Sequence, residues 1–256
     1  MGRGSSKAGA GSAGSLPPVT NFVAPPSPIQ VKKGDVLPTG GVAFNKFEKM
    51  TDDEKADVID KALSTGVPMF LDDSGLQRFT YFTGMSDKPK VVSDSQLDKM
   101  KGEELFRTVN DAYNSKKDIG YSSTDIAKQI SEGDYTMYSD SGGSAHGRGI
   151  YFANNYRDSS YYGSGKNAKT MRAKITGGRS ISESQLNSDY NSATRRGDKL
   201  ALACKKAGGT DGRNLYALAK GYDVIKASGS YRVVLNRRAL TVSSTIKNTN
   251  YGGNNW

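Results

Sequence analysis

The sequence has little of the residues that build disulfides, metal sites and membrane spans. Its 256 residues include one cysteine, Cys204, and one histidine, His146. A single cysteine excludes a disulfide within the chain, and a single histidine leaves no His and Cys set for a metal such as zinc. No apolar run approaches the ~18 residues of a membrane span, and no secretory signal pattern is present. The sequence therefore predicts a cytosolic protein with no metal and no membrane partner.

Acidic residues are also scarce relative to basic ones. Lys and Arg number 36 against 26 Asp and Glu, which gives a formal net charge of +10. This charge favours an anionic partner, such as a dinucleotide, nucleic acid or an acidic protein surface. A solubilising surface explains it equally well, because the basic residues form no clustered stripe in the sequence.

Large apolar residues are nearly absent from residues 1–40, which are rich in Gly, Ser, Ala and Pro. Such a segment buries too little surface to offset the entropy lost on ordering, so it predicts a disordered arm. The Asn- and Gly-rich residues 246–256 predict a flexible tail. Between these ends the chain is long enough to bury one sizeable core.

Residues 41–103 carry the start signals of three helices and predict a helical lobe. Thr51 and Glu54 form a capping box before apolar residues at helical spacing, and Ser93 and Gln96 form another. Ser74 is the expected start of the helix between them.

Residues 104–245 alternate strand and helix patterns, which predicts an α+β fold. Cys204 lies in an apolar helical run and is expected in the core. The expected helices are residues 123–132, 182–189, 199–207 and 214–220, and the expected strands are residues 104–109, 150–153, 170–175, 222–227 and 231–235.

Glycine and tyrosine are concentrated in residues 146–163, HGRGIYFANNYRDSSYYG, which hold three glycines, four tyrosines and the single histidine. Glycine lets a backbone approach a ligand closely, and tyrosine offers a flat face with a polar tip. Ile150–Ala153 predicts a short strand, and Asp158–Ser160 a turn or helix start that returns the chain toward it. Tyr151 and Tyr162 are then expected to face one another.

This stretch resembles the nicotinamide-binding segment of ADP-ribosyltransferases of the poly(ADP-ribose) polymerase type. The pattern of that family is G-x-G-I-Y-F-A, followed at a fixed interval by S-x-x-Y. The resemblance implies that Ser159 hydrogen-bonds the nicotinamide carboxamide and that Tyr151 and Tyr162 pack around its ring. The alternative is a buried strand beside a tyrosine-rich turn. The matching residues are Gly147, Gly149, Ile150, Tyr151, Phe152, Ala153, Ser159 and Tyr162.

A second motif is LFRT at residues 105–108, which is similar to the aromatic-Arg strand of the toxin-like branch of the same family. The resemblance implies that Arg107 binds the NAD pyrophosphate through its bidentate guanidinium, and that the Thr108 backbone contacts the carboxamide. The alternative is that Arg107 lies on a solvent face of the strand. His146 is expected either to orient a ribose hydroxyl or to be an exposed loop residue.

The chain departs from the family pattern at its last hairpin. The catalytic glutamate of the family stands where this chain has Ser230, and in the toxin-like alignment Arg232 takes that place. Neither residue is an acid, so Glu183 or Asp140 from another element is a candidate replacement. Polymer elongation is not expected, because it depends on that glutamate. The residues at the catalytic positions of the family are then Arg107, Tyr151 and Ser230.

The resemblance implies a split two-sheet ADP-ribosyltransferase-like fold over residues 104–245. The implied activity is NAD-dependent mono-ADP-ribosylation of a macromolecule, with a protein acceptor favoured over nucleic acid. NAD is then the substrate. One alternative is a noncatalytic phage particle component or nucleotide-binding module that keeps the fold without the acid. Another is a nucleic-acid-binding protein with stacking aromatics, although no such module is recognisable.

Two further segments, GLQRFTYFTG at residues 75–84 and KPKVV at residues 88–92, resemble parts of bacteriophage proteins that carry such a domain. This resemblance implies a phage product that acts on the host. Its expected location is the host cytoplasm or the virion, and its expected partners include proteins of the phage particle.

Overall fold

The computed structural model describes residues 42–65, 70–71, 89–109, 124, 127, 146–147, 149–161, 167–208 and 212–249. The predicted arm at residues 1–40, the predicted helix start at Ser74, and the candidate residues Asp140 and Tyr162 lie outside these residues. Of the helix predicted at residues 123–132, Thr124 and Ala127 are described, and both are helical.

The described residues contain ten strands, of which eight form one mixed sheet. The strands are β1 (Val42–Ala43), β2 (Phe70–Leu71), β3 (Lys90–Val92), β4 (Glu103–Val109), β5 (Ile150–Ala153), β6 (Lys169–Ile175), β7 (Ser180–Ser182), β8 (Val224–Lys226), β9 (Tyr231–Val234) and β10 (Leu240–Asn248). The order in the sheet is β3-β10-β6-β4-β5-β9-β8-β7, and β1 pairs with β2 separately. Pairing is parallel at β3–β10 and β7–β8 and antiparallel at the other junctions of the sheet.

The junction of β4 and β5 divides this sheet into two four-stranded halves. The two strands share one ladder pair, Phe106 with Ala153. On either side of the junction the pairing is longer, with β4 matched to β6 from Glu103 to Val109 and β5 matched to β9 along its whole length. Among the described residues, a single ladder pair therefore joins the two halves.

The helices of the described residues are α1 (Phe44–Phe47), α2 (Asp52–Thr65), α3 (Asp94–Lys99), α4 (Tyr156–Ser160), α5 (Glu183–Arg196), α6 (Lys199–Gly208) and α7 (Gly212–Ala219). Local capping explains where several of them begin. The predicted capping boxes of Thr51 with Glu54 and of Ser93 with Gln96 are both formed. At α5, the Ser182 hydroxyl accepts from the backbone N–H of Gln185.

The core lies between the sheet and the helices α2, α5, α6 and α7. Apolar side chains at helical spacing on these helices pack against alternate residues of the central strands. Cys204 is fully buried among them, as predicted. Fully or almost fully buried members of this core are Ile59, Leu105, Phe152, Leu186, Leu215, Val224 and Val234. The chain is thus a mixed α/β protein with helices packed on an open eight-stranded sheet.

Two boundaries differ from the sequence prediction. Residues 41–103 are not purely helical, because β3 pairs with β10 at the edge of the sheet. The predicted tail begins too early, because β10 continues to Asn248 and pairs Ile246 with Met171. Both errors have one physical cause: these strands are short or polar and are stabilised by partners distant in sequence. In the part of the chain that the structure describes, no helix is long and apolar enough to cross a membrane.

Candidate functional site

His146 and Gly147 are fixed in place by Tyr151 and by the start of α7. The backbone N–H of His146 donates to the Tyr151 hydroxyl at 3.0 Å, and that hydroxyl donates to the Gly147 carbonyl at 2.5 Å. The His146 carbonyl accepts from Arg213 at 2.8 Å and from Asn214 at 3.0 Å. Gly147 has φ 79°, and an added Cβ would lie 2.5 Å from the Asn214 amide nitrogen. Only glycine fits this position without strain.

Glu183, the first residue of α5, binds the ring of His146. Its carboxylate oxygens lie 2.9 and 3.0 Å from Nδ1 of His146. An ionised carboxylate only accepts hydrogen bonds, so Nδ1 carries the proton. Arg213 Nη1 lies 3.1 Å from the same carboxylate, and the Ser228 N–H donates to it at 3.4 Å. The side chains of His146 and Glu183 are each 17% exposed, so a ligand can reach this pair.

The charge state of Glu183 follows from opposing effects. Burial raises the pKa of its carboxyl group, whereas the hydrogen bonds from His146 and Ser228 and the charges around it lower that pKa, with a net lowering. The N-terminus of α5 also favours a negative charge at this position. Glu183 is therefore an ionised carboxylate at neutral pH.

Two tyrosine rings flank His146. The ring centroids of Tyr151 and Tyr231 lie 6.4 and 6.2 Å from that of His146. Tyr231 pairs with Ala153, two residues beyond Tyr151, so both tyrosines project from the same face of the sheet. The five side chains of His146, Glu183, Arg213, Tyr151 and Tyr231 are called the His146 cluster here.

The hydroxyls of Thr108 and Ser159 meet between β4 and α4 at 2.9 Å, although the residues are 51 positions apart in sequence. Thr108 also bonds Thr170 at 2.8 Å, and Thr170 bonds Thr249 at 2.7 Å. Ser159 is not exposed at the rim of a cleft. The side of α4 that carries Ser159 packs on β4, which leaves the residue 3% exposed.

The side chains of Arg107 and Thr108 leave β4 on opposite faces, because successive side chains alternate along a strand. Thr108 faces α4, and Arg107 therefore starts from the opposite face, where its strand partner is the buried Met171. Its Nη1 donates to the Tyr151 carbonyl at 2.7 Å, across the junction of β4 and β5. Its Nε is buried and has no hydrogen-bond partner among the described residues. Its role as a pyrophosphate ligand stays a prediction.

Neither residue at the place of the family's glutamate carries a carboxylate. The Ser230 hydroxyl hydrogen-bonds Asp158, and this bond is the main reason why the pKa of Asp158 is lowered. Arg232 forms an ion pair with Glu103 at 2.6 Å. Glu183 contacts the same hairpin by accepting from the Ser228 N–H at 3.4 Å.

The structure thus brings His146, Tyr151 and the candidate acid Glu183 into one cluster, and it pairs Thr108 with Ser159. Sequence reasoning missed Arg213 and Asn214 as partners of His146. Their signal is weak: they are two polar residues at the start of an otherwise apolar helix, GRNLYALA.

Within the described residues, no group of three or more His, Cys, Asp and Glu side chains is arranged to hold a metal ion. Comparison with models of protein families, with curated proteins and with solved structures finds no significant match.

Proposed function

We propose that this protein is a NAD-dependent mono-ADP-ribosyltransferase that binds NAD beside the junction of β4 and β5. The observation that carries the proposal is the meeting of Thr108 and Ser159 at 2.9 Å on the sheet face that also bears Tyr151. Thr108 lies 51 positions away from Ser159 in sequence, and the sequence motifs assigned both residues and Tyr151 to the nicotinamide. Their convergence supports a single pocket.

The sheet supports the same proposal. The proposal requires a sheet that can divide into two parts, and the two four-stranded groups here share one ladder pair, Phe106 with Ala153. At this junction the Arg107 side chain donates to the Tyr151 carbonyl at 2.7 Å, so a side chain also connects the two halves there. We assign the nicotinamide end of NAD to the sheet face beside this junction.

Each residue then has a physical role. Ser159 is 3% exposed, so NAD must uncover its hydroxyl by displacing α4 from β4. The hydroxyl then exchanges its hydrogen bond with Thr108 for one to the carboxamide. The Tyr151 ring packs on the nicotinamide, because its hydroxyl is already held by the backbone of His146 and Gly147. A ligand held in one orientation reacts with less loss of entropy during the chemical step.

The acceptor is proposed to be a macromolecule, with protein favoured over nucleic acid. The net charge of +10 favours an acidic surface on the acceptor. A phage protein that acts in the host cytoplasm, or that is carried in the virion, accounts for the sequence resemblances. These assignments rest on those resemblances and on the charge.

The second candidate is a noncatalytic module that keeps the fold and binds a nucleotide or another particle protein. One observation favours it: Ser230, bonded to Asp158, occupies the place of the acid. This candidate predicts no release of nicotinamide from NAD.

Calorimetric titration of NAD into the wild-type protein and into Ser159→Ala tests the proposal. Loss of one neutral hydrogen bond is worth about 0.5–1.5 kcal/mol, so the affinity should fall roughly two- to tenfold. Ser160→Ala is the matched control, because the Ser160 hydroxyl donates to the Arg157 carbonyl within the same helix. The control should bind NAD as the wild type does. Absence of NAD binding to the wild type refutes the proposed function.

A further inference from the structure

The arrangement of Glu183 and His146 matches that of a general base and the carboxylate that orients it. A neutral histidine that donates from Nδ1 has an acceptor lone pair on Nε2. The Nδ1 proton of His146 is directed to Glu183, with distances of 2.9 and 3.0 Å to its two oxygens. No described residue hydrogen-bonds Nε2, and the side chain is 17% exposed. The ring can therefore accept a proton from a bound group.

The orientation of this ring is fixed from several sides. The backbone of His146 is bonded by Tyr151, Arg213 and Asn214. Arg213 pairs with Glu183 at 3.1 Å, so it holds the carboxylate as well as the backbone of the histidine. Among the described residues, the charged groups next to the ring are Glu183 and Arg213, and Tyr151 and Tyr231 lie at its flanks. An orienting group of this kind is what a catalytic base requires.

We propose that His146, oriented by Glu183, is the general base that deprotonates the acceptor of ADP-ribose. This inference rests on the proposed function. It gives the site a proton acceptor, which Ser230 at the place of the family's glutamate is not. The bond between ribose C1′ and the nicotinamide nitrogen breaks, and its electron pair stays on nicotinamide. The oxygen or nitrogen of the acceptor bonds to C1′, and its proton passes to Nε2 of His146 and then to solvent. The acceptor is a hydroxyl or amine of the macromolecule, and water takes its place when no macromolecule is bound.

Nicotinamide release from NAD in water, measured from pH 5 to 9, tests this role. Positioned general bases contribute about 10²- to 10⁴-fold to rate, so His146→Gln and Glu183→Gln should each lower kcat by roughly a hundredfold. Their NAD dissociation constants should stay near that of the wild type. The rise in rate with pH that reports a histidine base should vanish in His146→Gln. Added imidazole should restore part of the activity of His146→Ala.

Asp189→Asn is the matched control. Asp189 lies on the same helix as Glu183, but its carboxylate accepts from Gln185 at 2.7 Å, away from the His146 cluster. It should keep the wild-type rate and pH profile. In Glu183→Gln the amide oxygen can still accept a hydrogen bond from Nδ1 of His146, so this variant tests the dyad without the carboxylate charge.

The outcomes separate the two proposals. A wild-type protein that binds no NAD refutes the proposed function itself. NAD binding and cleavage with wild-type kcat and pH profile in both His146→Gln and Glu183→Gln overturns the base assignment and leaves the proposed function standing. A second result also overturns the base assignment. If His146→Gln and Glu183→Gln bind NAD more weakly but keep the wild-type pH profile, and imidazole does not rescue His146→Ala, the two residues act only in binding.

Discussion

Glu183 is the residue on which most of the local electrostatics depends. It accepts from His146 and from the Ser228 N–H and pairs with Arg213, and these contacts outweigh the effect of burial, so that the pKa of Glu183 is lowered. A carboxyl group whose pKa is lower in the folded protein binds its proton more weakly there than in the unfolded chain. It therefore stabilises the fold above its ordinary pKa, and this stabilisation is lost as the pH falls through the folded value.

Urea unfolding of the wild type and Glu183→Gln between pH 2 and 7 tests this linkage. The wild type should lose the contribution of Glu183 as the pH falls below about 4.3, the ordinary pKa of a glutamate. The difference in unfolding free energy between the two proteins should therefore shrink toward low pH. A difference that is constant over the whole range would contradict the assignment of the lowered pKa to Glu183.

Candidate site residues could be predicted where the sequence signal is local. The residues that contact them in the fold could not be predicted. The pattern around Tyr151 and Ser159 marked both as site candidates, and both lie on the sheet face proposed to hold the site. The sequence did not decide whether the Arg107 side chain points to the ligand, because alternation along a strand does not say which face the ligand occupies. Glu183 was one of two acids named, and its contact with His146 spans 37 positions.

At the scale of elements, Asp223 connects the start of β8 with the turn before β10. Through Arg238 in that turn, it is also linked to the end of α1. This residue is 1% exposed, accepts from the backbone N–H of Arg179 at 2.8 Å and pairs with Arg238 at 2.8 Å. Arg238 in turn donates to Glu48, just after α1, at 2.6 Å. The buried Asp223 therefore depends on Arg238 for the balance of its charge.

Arg238→Ala should lower the free energy of unfolding by about 3 kcal/mol, because it leaves the buried Asp223 without its cation. The expected cost is at the lower end of the range for such pairs, since the Arg179 N–H still donates to Asp223. Arg196→Ala is the control, because Arg196 and its partner Asp198 are 64% and 42% exposed. Its expected change is at most about 1 kcal/mol. Equal effects of the two substitutions in urea unfolding would refute this account of Asp223.

The helices were predictable because their start signals lie within four residues, as at Thr51 with Glu54 and Ser93 with Gln96. The hairpin of β8 and β9 was predictable for the same reason, since its turn is short and local. The strand β3 was not predictable from the sequence. It has three residues, and its partner β10 lies about 150 positions further along the chain, so no local pattern marks it.

For the whole molecule, the sheet divides where β4 and β5 share one pair, and the two groups of candidate residues lie beside that division. Thr108 belongs to one half, and Tyr151 with the His146 cluster belongs to the other. A ligand bound between them would contact both halves and should stabilise the folded protein by mass action. The presence of both helices and strands could be predicted from the sequence, whereas this placement depends on contacts between distant segments.

The most direct test of the account is incubation of the protein with NAD labelled in its adenine moiety, together with a bacterial lysate. Released nicotinamide and label bound to macromolecules are measured in the same sample. The account predicts that both rise together with wild-type protein and fall together with Ser159→Ala. Neither nicotinamide nor bound label above a blank without the protein would contradict the claim that this chain is an ADP-ribosyltransferase.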